Sequence, residues 1–172
     1  MHRLFLITIT IFALFACDKE RTYSTELYSN KFDIPSDLTE WTIGFGEIGI
    51  TTEESADQSQ SCLEIFGWCA TPNLSLDIGP YDSDYYVRIE SWVKTQYGAA
   101  IHLNLNSNHN SNSDHVDIQT NEDLFKARNW TYYTSKPLIV PKGMTITLWI
   151  DASNNTLSYT WIDELRIVGE EY

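Results

Sequence analysis

Tyr86, Arg88, Glu90, Trp92 and Lys94 take every second position of one ten-residue stretch, with Tyr85, Val87, Ile89, Ser91 and Val93 between them. In an extended chain neighbouring side chains point to opposite faces, so each set shares a face. The second set is apolar enough to bury. The first set mixes rings with a guanidinium, a carboxylate and an ammonium. A plain solvated face would carry Thr, Ser, Lys and Glu, and would not need a Trp. Rings with fixed donors and acceptors beside them suit sugars. The axial C–H faces of a sugar stack on aromatic planes, and its hydroxyls need oriented partners. Three further stretches alternate in the same way. In 99–106, Ala99, Ile101, Leu103 and Leu105 face inward and leave Ala100, His102, Asn104 and Asn106 outside. In 115–119, Val116 and Ile118 face inward, with His115, Asp117 and Gln119 outside. In 143–151, Met144, Ile146, Leu148 and Ile150 face inward, with Thr145, Thr147, Trp149 and Asp151 outside. If these strands share one sheet, its free face joins Tyr86, Arg88, Glu90, Trp92, His102, Asn104 and Trp149 into a ligand surface. The alternative is that Trp92 and Trp149 are covered by a loop or a neighbouring strand and fill a second small core.

Catalytic readings of the same residues find less support. Glycoside hydrolysis needs two carboxylates flanking a sugar, and Glu90 with Asp117 or Asp151 would have to supply them. A lyase would draw on Tyr86, Arg88 and His102. No Gly-x-Ser-x-Gly, His-Glu-x-x-His, phosphate loop or dinucleotide fingerprint accompanies them. The expectation is therefore a non-catalytic domain. His102 and His115 fit a surface pair across adjacent strands better than a zinc site, which would need a third ligand such as Asp117.

These residues need a scaffold, and the alternation supplies it. Candidate strands cover 30–34, 41–51, 61–66, 73–78, 85–94, 99–106, 115–119, 129–134, 143–151 and 157–168, punctuated by Pro35, Gly79-Pro80, Pro137 and Pro141. Short strands at this spacing, without strand–helix alternation, predict an all-β fold: a two-sheet antiparallel β-sandwich or jelly roll. The chain has 172 residues and a net charge of -13, and is 42% hydrophobic and 13% aromatic. That composition suits an ordered domain. Its acidity argues against nucleic acid and against a basic membrane-surface patch, and self-repulsion favours a monomer.

The N-terminus adds a compartment. Met-His-Arg precedes a short apolar run, Leu4 to Ala16, too short to span a bilayer as a mature helix. It ends in Leu14-Phe15-Ala16-Cys17, which resembles the bacterial lipoprotein lipobox, with Phe15 bulkier than the usual occupant. The resemblance implies a signal peptide over 1–16 and lipidation of Cys17. Asp18-Lys19-Glu20 resembles the surface-export tag of some outer-membrane lipoproteins of the Bacteroidetes. Residues 17–29 then read as a lipidated polar tether, and 30–172 as one domain anchored to a membrane, the outer membrane or cell surface. In an exported protein the two remaining cysteines, Cys62 and Cys69, suggest one structural disulfide, with two free thiols as the alternative.

Three segments together resemble the galactose-binding-like jelly rolls, especially the calcium-containing carbohydrate-binding modules. They are Tyr85 to Lys94, ending Trp-Val-Lys; Trp130-Thr131-Tyr132-Tyr133, followed by Ile139 to Gly143 and the strand at 145–150; and Trp161-Ile162-Asp163-Glu164-Leu165-Arg166-Ile167. Glu164 stands where a second Asp or Asn is common. Phe32-Asp33 substitutes for the family's Phe-Glu opening. The resemblance implies a glycan partner and one structural calcium held by Asp163, with Asp33 as a second carboxylate. Asp163 is expected to face inward with Trp161, Leu165 and Ile167. A buried carboxylate without metal would instead be satisfied by backbone or hydroxyl donors. The resulting expectation is a surface-tethered module that captures polysaccharide. A structural or adhesion lipoprotein docking another protein, or a small polysaccharide lyase or hydrolase, are the other readings.

Overall fold

The alternating stretches are extended, as their β-branched and aromatic content favours. The computed structural model describes residues 22–56, 59–67, 71–96, 99–106, 118–119, 129–152 and 158–171, with backbone alone at 99–100, 102–106, 118–119 and 158. Among these, the strands are β1 (Thr25–Asn30), β2 (Thr42–Phe45), β3 (Glu47–Thr51), β4 (Cys62–Gly67), β5 (Asn73–Ile78), β6 (Tyr85–Thr95), β7 (Ala99–Asn106), β8 (Ile118–Gln119), β9 (Thr131–Thr134), β10 (Leu138–Val140), β11 (Thr145–Ala152) and β12 (Ser158–Glu171). One 3-10 turn, Pro35–Leu38, lies between β1 and β2.

All pairings are antiparallel and form two sheets. The seven-stranded sheet runs β10-β6-β12-β4-β3, with β1 also on β12 and β9 also on β6. The five-stranded sheet runs β2-β5-β11-β7-β8. The inward sets meet between them. Leu63, Ile65, Val87, Ile89, Ile162, Leu165 and Ile167 come from the larger sheet, and Leu74, Ile101, Ile146, Leu148 and Ile150 from the smaller. Each such side chain contributes roughly 1.5–3 kcal/mol by leaving water. Phe32 and Trp41 add rings 6.0 Å apart to this core.

The expected stretch 41–51 is not one strand. Gly46 sits at φ 101, and a Cβ there would lie 2.5 Å from Pro72 Cβ. Only glycine takes that turn without strain. The turn sends β2 into the five-stranded sheet and β3 into the seven-stranded sheet. The end of the expected tether is also ordered. Residues 25–30 form β1, pairing along β12 from Thr25↔Gly169 to Asn30↔Leu165. An irregularity between Glu26 and Tyr28 breaks the alternation there, although Leu27 and Tyr28 pack on the core. β10 has only three residues, between Pro137 and Pro141, which left it unrecognised as a strand.

One local feature changes which residues face out. β12 pairs β6 along its length, but a bulge interrupts the register between Asp163 and Arg166, with Glu164 at φ 48. Such a bulge shifts the alternation by one. Ile162 faces the core before it, and Leu165 and Ile167 face the core after it. Trp161 and Asp163 therefore lie on the outer face, opposite to the expectation that grouped them with Leu165 and Ile167.

Candidate functional site

The seven expected ligand residues do not share a surface. Tyr86, Arg88, Glu90 and Trp92 lie on β6, in the seven-stranded sheet. His102 and Asn104 lie on β7 and Trp149 on β11, in the five-stranded sheet. The two outer faces point away from each other across a core about 10 Å thick. The same separation breaks the catalytic alternatives. Tyr86 and Arg88 cannot act with His102, nor Glu90 with Asp151. Asp117 and His115 lie outside the described residues.

On the seven-stranded face Arg88, Glu90, Lys94 and Arg166 have protein partners, whereas Arg88 Nε and Glu170 Oε2 are buried without one among the described residues. Glu90 is 7% exposed. It accepts from Arg88 Nη2 at 2.5 Å and from the Tyr132 hydroxyl at 3.0 Å, and Arg166 Nη1 lies 3.6 Å away. Arg166 also donates to Glu26 at 3.1 Å, which ties β1 into the network. The Tyr23 ring lies 4.1 Å below the Arg88 guanidinium. Trp92 meets Tyr132 edge-on at 5.1 Å. Burial and the neighbouring Glu90 carboxylate push the Tyr132 hydroxyl pKa up. Further along, Trp161 donates to Glu64 at 2.8 Å, stacks on Tyr159 at 5.5 Å and lies under Lys94, whose ammonium pairs with Glu54 at 2.6 Å. This face is a second, smaller packed layer, in which Arg88, Lys94 and Arg166 each pair with a carboxylate.

At one end of this layer sits Asp163, wholly buried. Its Oδ2 accepts the Ala56 amide at 2.9 Å and the Ser59 hydroxyl, and its Oδ1 accepts the Glu164 amide at 2.8 Å. Burial raises its pKa, these three hydrogen bonds lower it, and the charge of Asp33 raises it again. Ser59 Oγ also lies 2.9 Å from the Ala56 carbonyl and 3.2 Å from the Ser61 carbonyl. One hydroxyl proton thus faces three acceptor oxygens. Among the described residues no three His, Cys, Asp or Glu side chains come together; the oxygens grouped here are the Asp163 carboxylate, the Ser59 hydroxyl and the Ala56 and Ser61 carbonyls that share that hydroxyl. Asp33 presents its carbonyl to the Ser61 hydroxyl at 2.8 Å, and lines with Lys31, Ser59, Ser61 and Glu164 the cleft beside it.

Cys62 is a buried free thiol, and no disulfide is found among the described residues, contrary to the expected Cys62–Cys69 bridge. Burial, with the charges of Asp163, Glu64 and Glu54, pushes its pKa up to about 12. Its place at the start of β4 puts it on the outer face beside Asp163. Cys69 and Cys17 lie outside the described residues.

The five-stranded face is built differently. Trp149 stands on β11, the central strand, and is half-buried. Ser75 on β5 and His102 on β7 are opposite it in register. One step along, Thr147 is opposite Asp77 and Asn104; one step the other way, Asp151 is opposite Asn73 and Ala100. The side chains of His102 and Asn104 lie outside the described residues. Thr147 Oγ1 donates to Asp77 Oδ1. Among the described residues no ring packs on Trp149 and its indole N–H has no partner. Asn73 leans over β2 because Gly44 has no side chain: a Cβ there would meet Asn73 Oδ1 at 2.1 Å.

Sequence reasoning grouped Trp149 with Thr147 and Asp151 on the outward side of one strand, and did not place Asn73, Ser75 and Asp77 beside them. The alternation Asn73-Leu74-Ser75-Leu76-Asp77 marks these three as outward, but nothing local says that β5 lies beside β11.

No family model matches the sequence, and no curated protein matches it. Solved structures do. The chain is similar to the CBM22-1 xylan-binding domain of Paenibacillus barcinonensis Xyn10C, at 19% identity over 89% of this chain and 99% of that one, with a TM-score of 0.62. TmCBM61, solved with β-1,4-galactotriose, is 16% identical over 86% of this chain and 100% of that one, with a TM-score of 0.53. The CBM22-1–GH10 modules of Clostridium thermocellum Xyn10B, complexed with xylohexaose, match at 15% identity over 83% of this chain and 28% of that one, with a TM-score of 0.58. The fold is thus the β-sandwich jelly roll of carbohydrate-binding modules.

Proposed function

We propose that this chain is a non-catalytic glycan-binding domain, and that its binding surface is the outer face of the five-stranded sheet. The observation that carries the reading is Trp149: a large ring on the central strand, without a protein partner among the described residues, ringed by short hydrogen-bonding side chains. An indole in such a place offers a stacking plane for a pyranose. Ser75, Asp77, Thr147 and Asp151, with His102 and Asn104 by register, supply acceptors and donors for its hydroxyls. The fold's likeness to carbohydrate-binding modules supports the reading. Lipidation at Cys17 after removal of residues 1–16 would hold the domain at a bacterial membrane, the outer membrane or cell surface. Labelled fatty acid incorporated by the full chain, and lost in Cys17→Ala, would support that anchor.

We further propose a structural calcium ion at Asp163. The residues fit a hard cation, which takes carboxylate, hydroxyl and carbonyl oxygens. Asp163 Oδ2, Ser59 Oγ and the Ala56 and Ser61 carbonyls would hold it, with Asp33 beside them. It would screen charge and fasten the 52–61 segment to β12.

The test of function is binding of the domain to a broad polysaccharide panel by affinity electrophoresis. Trp149→Ala is expected to lose the bound glycan and Trp92→Ala to keep it. Binding that survives Trp149→Ala and disappears in a folded Trp92→Ala would move the site to the other sheet. Silence across the panel with a folded sample would favour the protein-docking reading.

A further inference from the structure

The chain enters its fold on one face of the sandwich. The Tyr23 ring lies 4.1 Å from the Arg88 guanidinium, and β1 begins to pair with β12 two residues later, at Thr25↔Gly169. Arg88 alternates with the buried Val87 and Ile89, so Arg88 and Tyr23 lie on the outer side of the seven-stranded sheet. Cys17 is six positions before Tyr23. Six residues span at most about 22 Å when fully extended. Trp149 lies on the outer side of the other sheet. The short way from Tyr23 to the level of Trp149 runs round the edge made by β9 and β10. It crosses one strand spacing, the gap between the sheets and a side-chain layer on each outer face, about 25 Å in all. A lipid on Cys17 is therefore tied too closely to lay the Trp149 face on the membrane. The face where the chain enters also offers groups that suit a membrane surface. In register Ile139 is opposite Tyr86 and Tyr132 is opposite Trp92, so the two flank Arg88 about 20 Å apart along β6. They are 47% and 43% exposed. Tyr is enriched at the headgroup boundary of bilayers, where an apolar ring and a polar tip are both satisfied. Between them Arg166 is opposite Glu90, and its 43% exposed side chain offers a guanidinium to a lipid phosphate.

We propose that the outer face of the seven-stranded sheet docks on the headgroup surface of the bilayer that holds the lipid, and so turns Trp149 away from the membrane. The inference rests on the lipid anchor at Cys17 given above and adds the docking surface, its partner and the direction of the opposite face. A short tether gives an effective concentration on the order of millimolar, so an affinity of about 0.5 mM keeps the face docked about two-thirds of the time.

The experiment is hydroxyl-radical footprinting, read by mass spectrometry, of the full chain processed in bacteria with a labelled fatty acid and reconstituted into phosphatidylethanolamine–phosphatidylglycerol vesicles. The reference is residues 18–172 exported behind an ordinary signal peptide, without lipid, mixed with the same vesicles. Anchoring is expected to slow oxidation of Tyr132 and Ile139 about three-fold, and to change Trp149 and the exposed Ile43 and Phe45 of β2 by less than about 1.5-fold. Ile139→Asp sets a carboxylate against the headgroups and should return Tyr132 toward its unanchored rate, with a thermal melt to check the fold. A Tyr132 rate unmoved by that substitution would overturn the docking. Slowing at Trp149, Ile43 and Phe45 instead, or no slowing at all in a chain that carries the fatty acid, would overturn the inference and leave the anchor standing. Slowing of Tyr132 and Ile139 in the unlipidated chain that grows with protein concentration would assign the face to a second copy and overturn it as well. A full chain that takes up no fatty acid at Cys17 would overturn the anchor reading and this inference with it, and leave the glycan-binding reading untouched.

Discussion

Glu90 gives the sharpest test of which sheet does the binding. By type and spacing it belongs with a sugar-contacting set, but the fold places it inside a network with Arg88, Tyr132 and Arg166. Glu90→Gln keeps the shape and removes the charge, leaving two guanidinium groups facing an amide. A hydrogen bond to a charged group contributes about 1.5–3 kcal/mol to stability. Here the Arg88 and Arg166 side chains are 31% and 43% exposed, so much of each ion pair is screened by water. Tyr132 can still donate to the amide oxygen. We therefore expect a loss of about 1–2 kcal/mol. For a domain of this size each kcal/mol lowers the melting temperature by about 2–4 °C, so the variant should melt about 2–8 °C lower. The assay is a thermal melt and a urea titration of wild type and variant, paired with glycan affinity on the same samples. The melting difference should narrow in high salt, and the affinity should change by less than about two-fold, since a bound chain on the far sheet does not touch Glu90. A variant that melts like the wild type yet no longer binds glycan would refute the reasoning. It would return Glu90 and its face to the binding site.

Three further expectations follow from the same geometry. The pKa of Asp163 is raised from its ordinary 3.8 chiefly by burial, so the folded state holds its proton to higher pH than the unfolded chain does. Its contribution is then most favourable below 3.8 and is lost as pH rises through the elevated value; urea titrations should show that limb flattened in Asp163→Asn, and calcium should raise the wild-type midpoint near neutrality while a chelator lowers it. A midpoint indifferent to both calcium and chelator would remove the metal. With its pKa pushed up to about 12, Cys62 should resist alkylation at pH 8 in the native state and react on unfolding, as peptide mapping by mass spectrometry would show; rapid native labelling of Cys62 would contradict its burial. Gly44→Ala should displace Asn73, whose Oδ1 would lie 2.1 Å from the new Cβ, and so perturb the rim of the Trp149 face. Glycan affinity should fall a few-fold with a small change in melting temperature, and an unchanged affinity would exclude Asn73 from the contact.

The sequence by itself determined the fold class and the inward sets of the strands. Val87, Ile89 and Val93, and Ile146, Leu148 and Ile150, alternate with polar residues, and period-two alternation is a local property that survives any choice of neighbours. It also marked Trp149 as lying opposite to the inward set of its strand. Three things depended on tertiary structure. Strand order came first: β6 and β11 carry similar outward sets, but which sheet each joins is settled by pairing between segments far apart in sequence, so Trp92 and Trp149 ended on opposite faces. The phase of β12 came second. A bulge at Asp163–Arg166, with a non-glycine residue at positive φ, is held in place by the switch of partner strand from β4 to β1 and leaves no periodic signal. Occupancy came third. Arg88, Glu90 and Trp92 look available until Tyr23, Glu26, Tyr132 and Arg166 arrive from other segments to engage or surround them, while among the described residues no ring packs on Trp149. Residue type and alternation state what a side chain can do and which way it points along its own strand. Only the packing of distant segments decides whether a partner has already taken it.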